Sequence, residues 1–289
     1  MNKKKIARKL KELLKILPDR IYIQLYYFFR FHKFCHLKNP KTYNEKIQWL
    51  KLYDRNPMYS NLVDKYEVKK IVANIIGEEH IIKTLGIWEN FDEIDFKKLP
   101  NQFVLKCTHD SEGIIVVKDK NKLNYRKAKR KIERAMKCNF FYIGREWPYK
   151  NVKPRIIAEE YMEDNTYHEL RDYKFLCFNG KPEIMYIAAG RFNHQTTIDF
   201  YDMDFNHLDI THHYPKSLVR IEKPITFNKM IELSKKLSKD FKHIRVDFYE
   251  VNGKIYFGEL TFYSFSGFSK IEPIEWDYKL GELINLENK

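Results

Sequence analysis

Four polar side chains near the C-terminal end of the chain could together bind a cation and an anionic substrate. Arg245 and Asp247 lie two positions apart in one apolar run, and Glu259 and Thr261 lie two positions apart in the next. Residues two apart share a face of a β-strand, and the Asn-Gly pair at 252–253 is a strong hairpin signal. We expect a hairpin that collects a guanidinium, two carboxylates and a hydroxyl on one face.

The two carboxylates of this face suggest a metal site. Asp247 and Glu259 would repel each other on neighbouring strands unless a cation lay between them, and hard oxygen ligands suit Mg²⁺ bound with the phosphates of a nucleotide. Alternatively, the face is solvated and Arg245 simply pairs with one of the acids. Replacing either acid with its amide is expected to abolish nucleotide turnover and leave the fold intact, since removing like charges need not destabilise a cluster.

A second group of residues has the features of a phosphate site. The strand at 102–107 contains Lys106 among apolar residues, the loop at 108–113 is small and polar, and a second apolar strand follows. Backbone N–H groups of such a loop and one ammonium group can hold phosphate oxygens. Alternatively, Lys106 lies in solvent on an edge strand. The loop also contains a single glycine, which makes the phosphate-site signal weaker.

Two further strands carry polar residues. The apolar strand at 155–162 becomes polar at its end. Backbone groups there could hydrogen-bond the edge of a purine. Alternatively, Glu159 and Glu160 simply end the strand in water. A second hairpin turns at Asn179-Gly180. The polar face of this hairpin holds Asp172 and Lys174, with Arg191 just beyond the returning strand.

Helices are predicted between these strands from apolar periodicity and capping residues. The expected helices are one at 44–52 capped by Thr42, one from Asp64 toward Gly77, a basic one at 121–136 and an amphipathic one at 230–241.

Composition limits the class of protein. With 44% hydrophobic and 16% aromatic residues among 289, the chain is not disordered, and its formal net charge of +14 favours an anionic partner. The four scattered cysteines indicate neither a disulfide framework nor a zinc site, which fits a reducing cytoplasm. We identify no secretory signal and no run near the roughly 18 apolar residues that span a bilayer.

The N-terminal segment combines basic and aromatic residues. Residues 1–17 form a basic amphipathic pattern that ends at Pro18, and an aromatic-rich stretch follows at 21–29. Cationic side chains toward lipid headgroups and aromatic rings at the interface would explain both features in residues 1–30. Alternatively, the segment packs on the protein and its lysines are solvated.

In this order, the motifs resemble the ATP-grasp superfamily and, more narrowly, the TupA-like ATP-grasp family. The likeness runs from about Pro40 to Lys270. That family is associated with teichuronopeptide, capsule and other surface polysaccharide biosynthesis, and its members are often labelled glycosyltransferases. The motifs that carry the likeness are Lys106–His109, Gly144–Tyr149, Asp172–Phe175 with Phe178–Gly180, and Gly258–Phe262.

The resemblance implies an α+β fold in which two α+β subdomains clamp ATP between two sheets. The expected division is a basic N-terminal extension at 1–39, a small subdomain with helices and the phosphate loop at 40–150, and a C-terminal subdomain with the metal site at 151–289.

The resemblance also implies roles for individual residues. The expected ATP-binding residues are Lys106 on the phosphates, His109, Ser111 and Gly113 in the loop that closes over them, Glu159, Glu160, Tyr161 and Met162 at adenine, and Asp172 at ribose. The expected ligands of Mg²⁺ are Asp247, Glu259 and Thr261. Arg245 would stabilise an anionic acyl-phosphate or tetrahedral intermediate, and Lys174 and Arg191 would make further phosphate or substrate contacts.

Two departures from the family pattern affect this expectation. The superfamily usually has Asn where Thr261 stands, so a second metal is in doubt. Relatives generally have more glycine where Asp110 and Glu112 stand, and carboxylates beside a triphosphate are unfavourable unless they point outward.

The resulting hypothesis is an ATP- and Mg²⁺-dependent ligase that joins the carboxylate of a sugar acid or amino acid to an amine. It would work in the cytoplasm, peripheral to the inner face of the cytoplasmic membrane. The alternatives are a glycosyltransferase that uses a nucleotide-sugar and a non-catalytic protein that binds anions or membranes. We expect no nucleic-acid partner, because no RNP-type aromatic motif is present.

Overall fold

The computed structural model describes residues 14–166, 170–190, 196–219 and 221–287. Its helices are α1 (Asp19–Phe31), α2 (Tyr43–Tyr53), α3 (Tyr59–Val63), α4 (Glu67–Ile76), α5 (Tyr125–Met136), α6 (Phe141–Gly144), α7 (Phe227–Ser238) and α8 (Ile274–Glu282). Its strands are β1 (Thr84–Trp88), β2 (Phe103–Cys107), β3 (Ile114–Val117), β4 (Ile156–Glu160), β5 (Asp172–Phe178), β6 (Lys181–Ala189), β7 (Thr197–Asp202), β8 (His207–Leu208), β9 (Thr211–His212), β10 (His243–Val251), β11 (Lys254–Thr261) and β12 (Ile271–Glu272). Within the described ranges, no helix is long and apolar enough to cross a membrane.

A small antiparallel sheet has the order β1-β4-β2-β3. Alternate residues of β2 are fully buried, and they pack with apolar residues of α5, including Ile132, on one face of the sheet. Because strand side chains alternate, Lys106 lies on the opposite face. The alternation of β2 therefore separates a packed face from a polar face.

A larger antiparallel sheet has the order β11-β10-β5-β6-β7-β8. Tyr173, Phe175 and Cys177 of β5 lie opposite alternate apolar residues of β10, and the ring of Phe227 from α7 lies 6.0 Å from that of Phe175. The intervening positions of β5 and β10 point to the other face. The α+β class with two sheets, expected from the resemblance, is confirmed.

Local sequence signals explain where the helices begin and end. Thr42 Oγ1 accepts the N–H of Glu45, and the Glu45 carboxylate accepts the N–H of Thr42, which completes a capping box for α2. Asp64 accepts backbone N–H groups at the start of α4, and Gly77 ends that helix with φ of 107°. These predicted helix boundaries are confirmed within about two residues.

The division of the chain between the two sheets differs from the expected boundary at residue 150. β4 lies in the small sheet, between β1 and β2, although it was expected to open the C-terminal subdomain. Apolar residues of α2, α3 and α4 pack in the core of the large sheet, although these helices were assigned to the small subdomain. Sequence distance to a strand does not determine the sheet that a helix covers.

The imidazole of His243, the first residue of β10, is buried. We expect it to make stability dependent on pH. Its Nδ1 lies 2.9 Å from the carbonyl oxygen of Cys177 and its Nε2 lies 2.9 Å from the hydroxyl of Tyr43. Burial lowers the pKa of His243 from 6.5 to about 3, because the charged form is poorly solvated. The ring is therefore neutral at neutral pH.

We expect the protein to lose stability as the pH falls from about 6.5 toward 3. Between these values the unfolded chain binds a proton at His243 and the folded chain does not, so protonation favours unfolding. From about pH 7 to about pH 5 this one ring should account for about 2 kcal/mol of the unfolding free energy. Urea titrations of the wild-type protein and of His243→Gln measure the difference.

The exposed His36 provides the control. His36→Gln should keep the wild-type pH dependence, whereas His243→Gln should show a weaker one. Equal pH dependence in wild type and His243→Gln would contradict this account.

Candidate functional site

A β-bulge at Gly258 determines which face of β11 meets the polar face of β10. From the turn outward the pairing is regular as far as Phe248 and Phe257, and the next pair is Asp247 with Glu259. Gly258 is left without a partner. If the same residues paired regularly, without a bulge, Asp247 would lie opposite Gly258, and Glu259 would point to the other face of the sheet.

The polar face predicted from the sequence is therefore present, but the turn alone does not create it. Arg245 lies opposite Thr261, and Asp247 lies opposite Glu259. The four residues therefore share one face, as predicted. The prediction assumed that closure at Asn-Gly suffices, whereas a regular hairpin from that turn would place Glu259 on the apolar face. A Cβ atom on Gly258 would lie 3.1 Å from the carbonyl oxygen of Asp247, so the close approach at the bulge favours glycine.

Asp247 is the centre of a buried charge cluster on this face. Arg245 donates from Nε to Asp247 Oδ1 at 2.6 Å and from Nη2 to Asp247 Oδ2 at 2.7 Å. Lys174 Nζ bonds Asp247 Oδ2 and lies 3.5 Å from Asp172 Oδ1. Arg245 Nη2 also donates to Glu259 Oε1 at 2.7 Å. Asp247 is 0% exposed, so it is the shared partner of two cations that have little access to water.

The second arm of the Arg245 guanidinium is held by hydroxyl groups. Its Nη1 donates to the hydroxyl of Tyr186 at 3.1 Å and lies 3.4 Å from Ser264 Oγ. With both arms fixed, Arg245 presents a fixed positive charge beside Glu259, and little side-chain freedom remains to be lost on binding an anion.

The cluster keeps Lys174 and Glu259 charged at neutral pH. Burial alone would lower the pKa of Lys174, but Asp172 and Asp247 outweigh burial and raise it. Burial alone would raise the pKa of Glu259, but the charges of Lys174 and Arg245 outweigh burial and hold it far below its ordinary value. Glu259 is therefore a carboxylate, and 37% of its side chain is exposed within the cleft.

A second charge cluster lies on the polar face of the small sheet. Glu159 is 4% exposed, and its two oxygens lie 2.5 Å from Lys106 Nζ and 2.5 Å from Lys69 Nζ. Burial would raise the pKa of Glu159, but these two ammonium groups outweigh it and lower the pKa. Two ammonium groups thus share one carboxylate, which leaves this cluster with an excess of positive charge.

A cavity of about 620 Å³ separates the two clusters. Its walls come from β2, β3 and β4 of the small sheet and from β5, β6, β7, β10 and β11 of the large sheet. A volume in this range suits a nucleotide-sized ligand. The predicted site residues that line it are Lys106, Ser111, Glu159, Glu160, Tyr161, Met162, Asp172, Lys174, Arg245 and Glu259.

Two predicted loop residues are placed outside the cavity wall. His109 is buried, and its Nε2 lies 3.2 Å and 3.1 Å from the carbonyl oxygens of Ala135 and Cys138 at the C-terminal end of α5, where carbonyl groups lack helical partners. Gly113 donates its N–H to the carboxylate of Asp110 at 3.0 Å. The Asp110 carboxylate thus binds the loop's own backbone.

The remaining predicted residues are placed as follows. Among the described residues that form the cavity wall, Asp247 and Thr261 are absent. The oxygens of Asp247 are instead held by Arg245 and Lys174. Arg191 lies outside the described residues. Its role as a substrate contact stays a prediction.

The donor set fits a metal that is shared with phosphate groups. Among the described side chains, no group of three or more His, Cys, Asp and Glu residues could hold a metal alone. Glu259 offers a partly exposed carboxylate at the cavity, whereas both oxygens of Asp247, which lies opposite it, are held by Arg245 and Lys174. Mg²⁺ commonly binds one or two carboxylates, with substrate phosphates and water as its other ligands, and this arrangement allows that.

Two lysines at the start of α4 complete the positive side of the cavity, and sequence analysis missed both. Lys65 lines the cavity and donates from Nζ to the carbonyl oxygen of Asp110 at 2.5 Å. Lys69 binds Glu159 and donates to the carbonyl oxygen of Ile82 at 2.7 Å. Lys65 lies in the turn before α4 and Lys69 in its first turn, so their spacing is a weak signal in a chain with many lysines.

The Gly144–Tyr149 motif packs behind the charge cluster of the large sheet. Lys51 is fully buried there, and its Nζ donates to the carbonyl oxygens of Gly144 at 2.7 Å and Ser266 at 2.5 Å. Burial lowers the pKa of Lys51 to about 7, although Glu146 opposes the shift. Ser266 follows Phe265 of the cavity wall, and both have positive φ. Lys51 thus helps to hold a strained segment of the wall.

The family comparison gives one match. A model of the family described as TupA-like ATPgrasp matches residues 45–285. No curated protein matches the chain.

Several solved structures resemble the chain at low identity. D-alanine–D-alanine ligase from Bacillus anthracis, complexed with ATP, has 17% identity and a TM-score of 0.41, over 71% of this chain and 55% of that one. The same enzyme from Helicobacter pylori has 16% identity and a TM-score of 0.42, over 85% and 70%. L-amino acid ligase from Bacillus licheniformis has 11% identity and a TM-score of 0.44, over 86% and 56%. The chain thus spans about half of the first and last of these proteins.

Proposed function

Because the chain belongs to the TupA-like ATP-grasp family, we propose that it is an ATP- and Mg²⁺-dependent carboxylate–amine ligase. The observation that supports this most is the cavity with cations on both walls and a partly exposed carboxylate, Glu259, beside the cations of the large sheet. A reaction that moves a phosphoryl group between anionic partners requires this distribution of charge.

The small-sheet wall would bind the nucleotide. Lys106 and Lys65 would contact phosphate oxygens, and Ser111 lies where the loop could close over them. The segment from Glu160 to Met162 would bind the adenine edge. Across the cavity, Asp172 of β5 in the large sheet would accept hydrogen bonds from the ribose hydroxyls. Glu159 would hold the ammonium groups in place, since its carboxylate bonds Lys106.

The large-sheet wall would bind the reacting groups. When bound, Mg²⁺ would supply positive charge to the transferring phosphoryl group. Glu259 would hold that ion together with phosphate oxygens, and Asp247 would hold Arg245 and Lys174 in place beside it. Arg245 would orient the acceptor carboxylate and neutralise charge that develops on it, while Lys174 would add a second positive charge at that wall.

The proposed reaction has two steps. An oxygen of the acceptor carboxylate attacks the γ-phosphorus of ATP, so that an acyl-phosphate forms and ADP leaves. The amine then attacks the acyl carbon, phosphate leaves with the electrons of the broken C–O bond, and the nitrogen loses a proton to give the amide. Arg245 would stabilise the oxyanion of the second step.

The acceptor would be a sugar acid or an amino acid used in the biosynthesis of a capsule or other surface polysaccharide, as the family resemblance suggests. The enzyme would work in the cytoplasm, where ATP is available, at the inner face of the cytoplasmic membrane, where lipid-linked glycans are assembled.

Calorimetric titration with a non-hydrolysable ATP analogue tests the nucleotide assignment. We expect binding that requires Mg²⁺, and no comparable binding of UDP-sugars. Lys106→Met should weaken binding by about tenfold or more, because a charged hydrogen bond to phosphate contributes about 1.5–3 kcal/mol.

Lys98→Met removes an equal charge from a side chain that is 86% exposed, and should bind like wild type. Preference for a UDP-sugar would favour the glycosyltransferase. Absence of any nucleotide binding would instead favour a non-catalytic protein that binds anions.

A further inference from the structure

Helix α1 is apolar on two sides. One side packs on the protein through the buried residues Tyr22, Ile23 and Tyr27. The opposite side is exposed, although it has the spacing of a second apolar stripe, which consists of Ile21, Leu25, Phe28 and Phe29. The packing of the chain on itself accounts for the buried side only, and the exposed stripe is a candidate contact surface.

Phe34 extends the exposed stripe beyond the end of the helix. Its ring lies 5.0 Å from that of Phe28 in a stacked arrangement. Phe29 is 74% exposed and Phe34 is 59% exposed. We call Ile21, Leu25, Phe28, Phe29 and Phe34 the α1 surface. Apolar side chains grouped in this way mark an interaction site more often than single exposed residues do.

The charged residues in the sequence that carries the α1 surface are almost all positive. Residues 14–38 contain a single acid, Asp19, which lies 2.7 Å from Arg55 Nη2 and 3.6 Å from Arg145 Nε. The basic residues of the same stretch are Lys15, Arg20, Arg30, Lys33 and Lys38. An apolar stripe within a basic rim is complementary to a surface that offers both acyl chains and negative charge.

We propose that the α1 surface docks on an anionic lipid bilayer. The helix has 13 residues, about 20 Å in length, which is shorter than the hydrocarbon core of about 30 Å. It therefore lies in the plane of the headgroups, with its aromatic rings directed toward the acyl chains. A second copy of the chain is a poorer occupant, because an interface of two such surfaces would bring two basic rims together.

The α1 surface is firmly attached to the body that carries the cavity. The hydroxyl of Tyr22 donates to the carbonyl oxygen of Ile143 at 2.7 Å, and Arg30 Nε donates to that of Phe268 at 2.9 Å. Phe268 lies three residues after Phe265 of the cavity wall. Docking through α1 would thus hold the cavity in a defined position relative to the membrane.

Sedimentation of the full-length chain with vesicles tests the proposal. The vesicles consist of phosphatidylcholine alone, or of equal parts phosphatidylcholine and phosphatidylglycerol. We expect binding to the anionic vesicles that high salt weakens, and no comparable binding to the neutral ones. The double variant Phe29→Ala, Phe34→Ala should bind the anionic vesicles about tenfold or more weakly.

A matched control removes two exposed apolar side chains outside α1. Val219 is 74% exposed and Ile225 is 91% exposed, so Val219→Ala, Ile225→Ala should bind like wild type. Unchanged binding of the Phe29, Phe34 variant would overturn the assignment, as would equal binding to neutral vesicles.

Absence of vesicle binding would also overturn the proposal, whether or not light scattering shows a dimer. A dimer that the Phe29, Phe34 variant converts to monomer would identify a second copy as the occupant. Because the assay contains no nucleotide, these outcomes do not depend on the proposed ligase activity.

Discussion

The Glu259→Gln variant is expected to lose ATP turnover by about 100-fold or more and to remain folded. Glu259 faces the cavity with 37% of its side chain exposed, so the amide can be solvated there. Arg245 keeps its two bonds to Asp247 when the charge on Glu259 is removed. What is lost is one negative ligand at the proposed metal site, and loss of a single electrostatic group at a reacting centre typically has an effect of this size.

The measurements are ATP turnover with a carboxylate and an amine found by screening, and Mg²⁺-dependent binding of the ATP analogue. Glu232→Gln removes the same charge from a side chain that is 62% exposed and pairs with Lys229, and it should behave as wild type. Full turnover in Glu259→Gln would show that the hairpin face is not the metal site.

The Asp247→Asn variant is expected to lose both turnover and about 3 kcal/mol of unfolding free energy. Sequence analysis predicted an intact fold, on the view that removing like charges relieves repulsion. The structure changes that expectation, because Asp247 is completely buried between Arg245 and Lys174. Without its charge, two poorly solvated cations lose their shared partner.

Urea titration of Asp247→Asn, with Glu259→Gln measured in parallel, separates the two effects. Both variants should be inactive, but only Asp247→Asn should unfold at a clearly lower urea concentration with an unchanged slope. Equal stability of the two variants would mean that Arg245 and Lys174 do not depend on Asp247 for their charge compensation.

Residues close in sequence allowed the main site elements to be predicted. Asn179-Gly180 and Asn252-Gly253 each determine a hairpin, and strand alternation then determines that Asp172 shares a face with Lys174. Lys106 projects from β2 into the cavity for the same reason. Each of these inferences depends only on local backbone geometry.

Features that depend on distant parts of the chain were not predictable in this way. Lys69 reaches Glu159 only because tertiary packing brings the first turn of α4 near β4, and no local pattern reports that contact. His109 belongs to a loop with the composition of a phosphate site, yet it binds carbonyl groups at the end of α5. Side-chain type indicates what a residue can bind, and tertiary packing determines which of those partners is near.

The unpaired Gly258 implies that the site depends on how the hairpin pairs as well as on its side chains. A related chain could keep Arg245, Asp247 and Glu259 and carry, in place of Gly258, a larger residue that pairs regularly with Asp247. Its turn and its strands would still form, but Glu259 would point into the apolar core and Leu260 would face the cavity. In such a family, members that have lost activity would be recognised by the residue between Phe257 and Glu259, even where every polar side chain of the site remains.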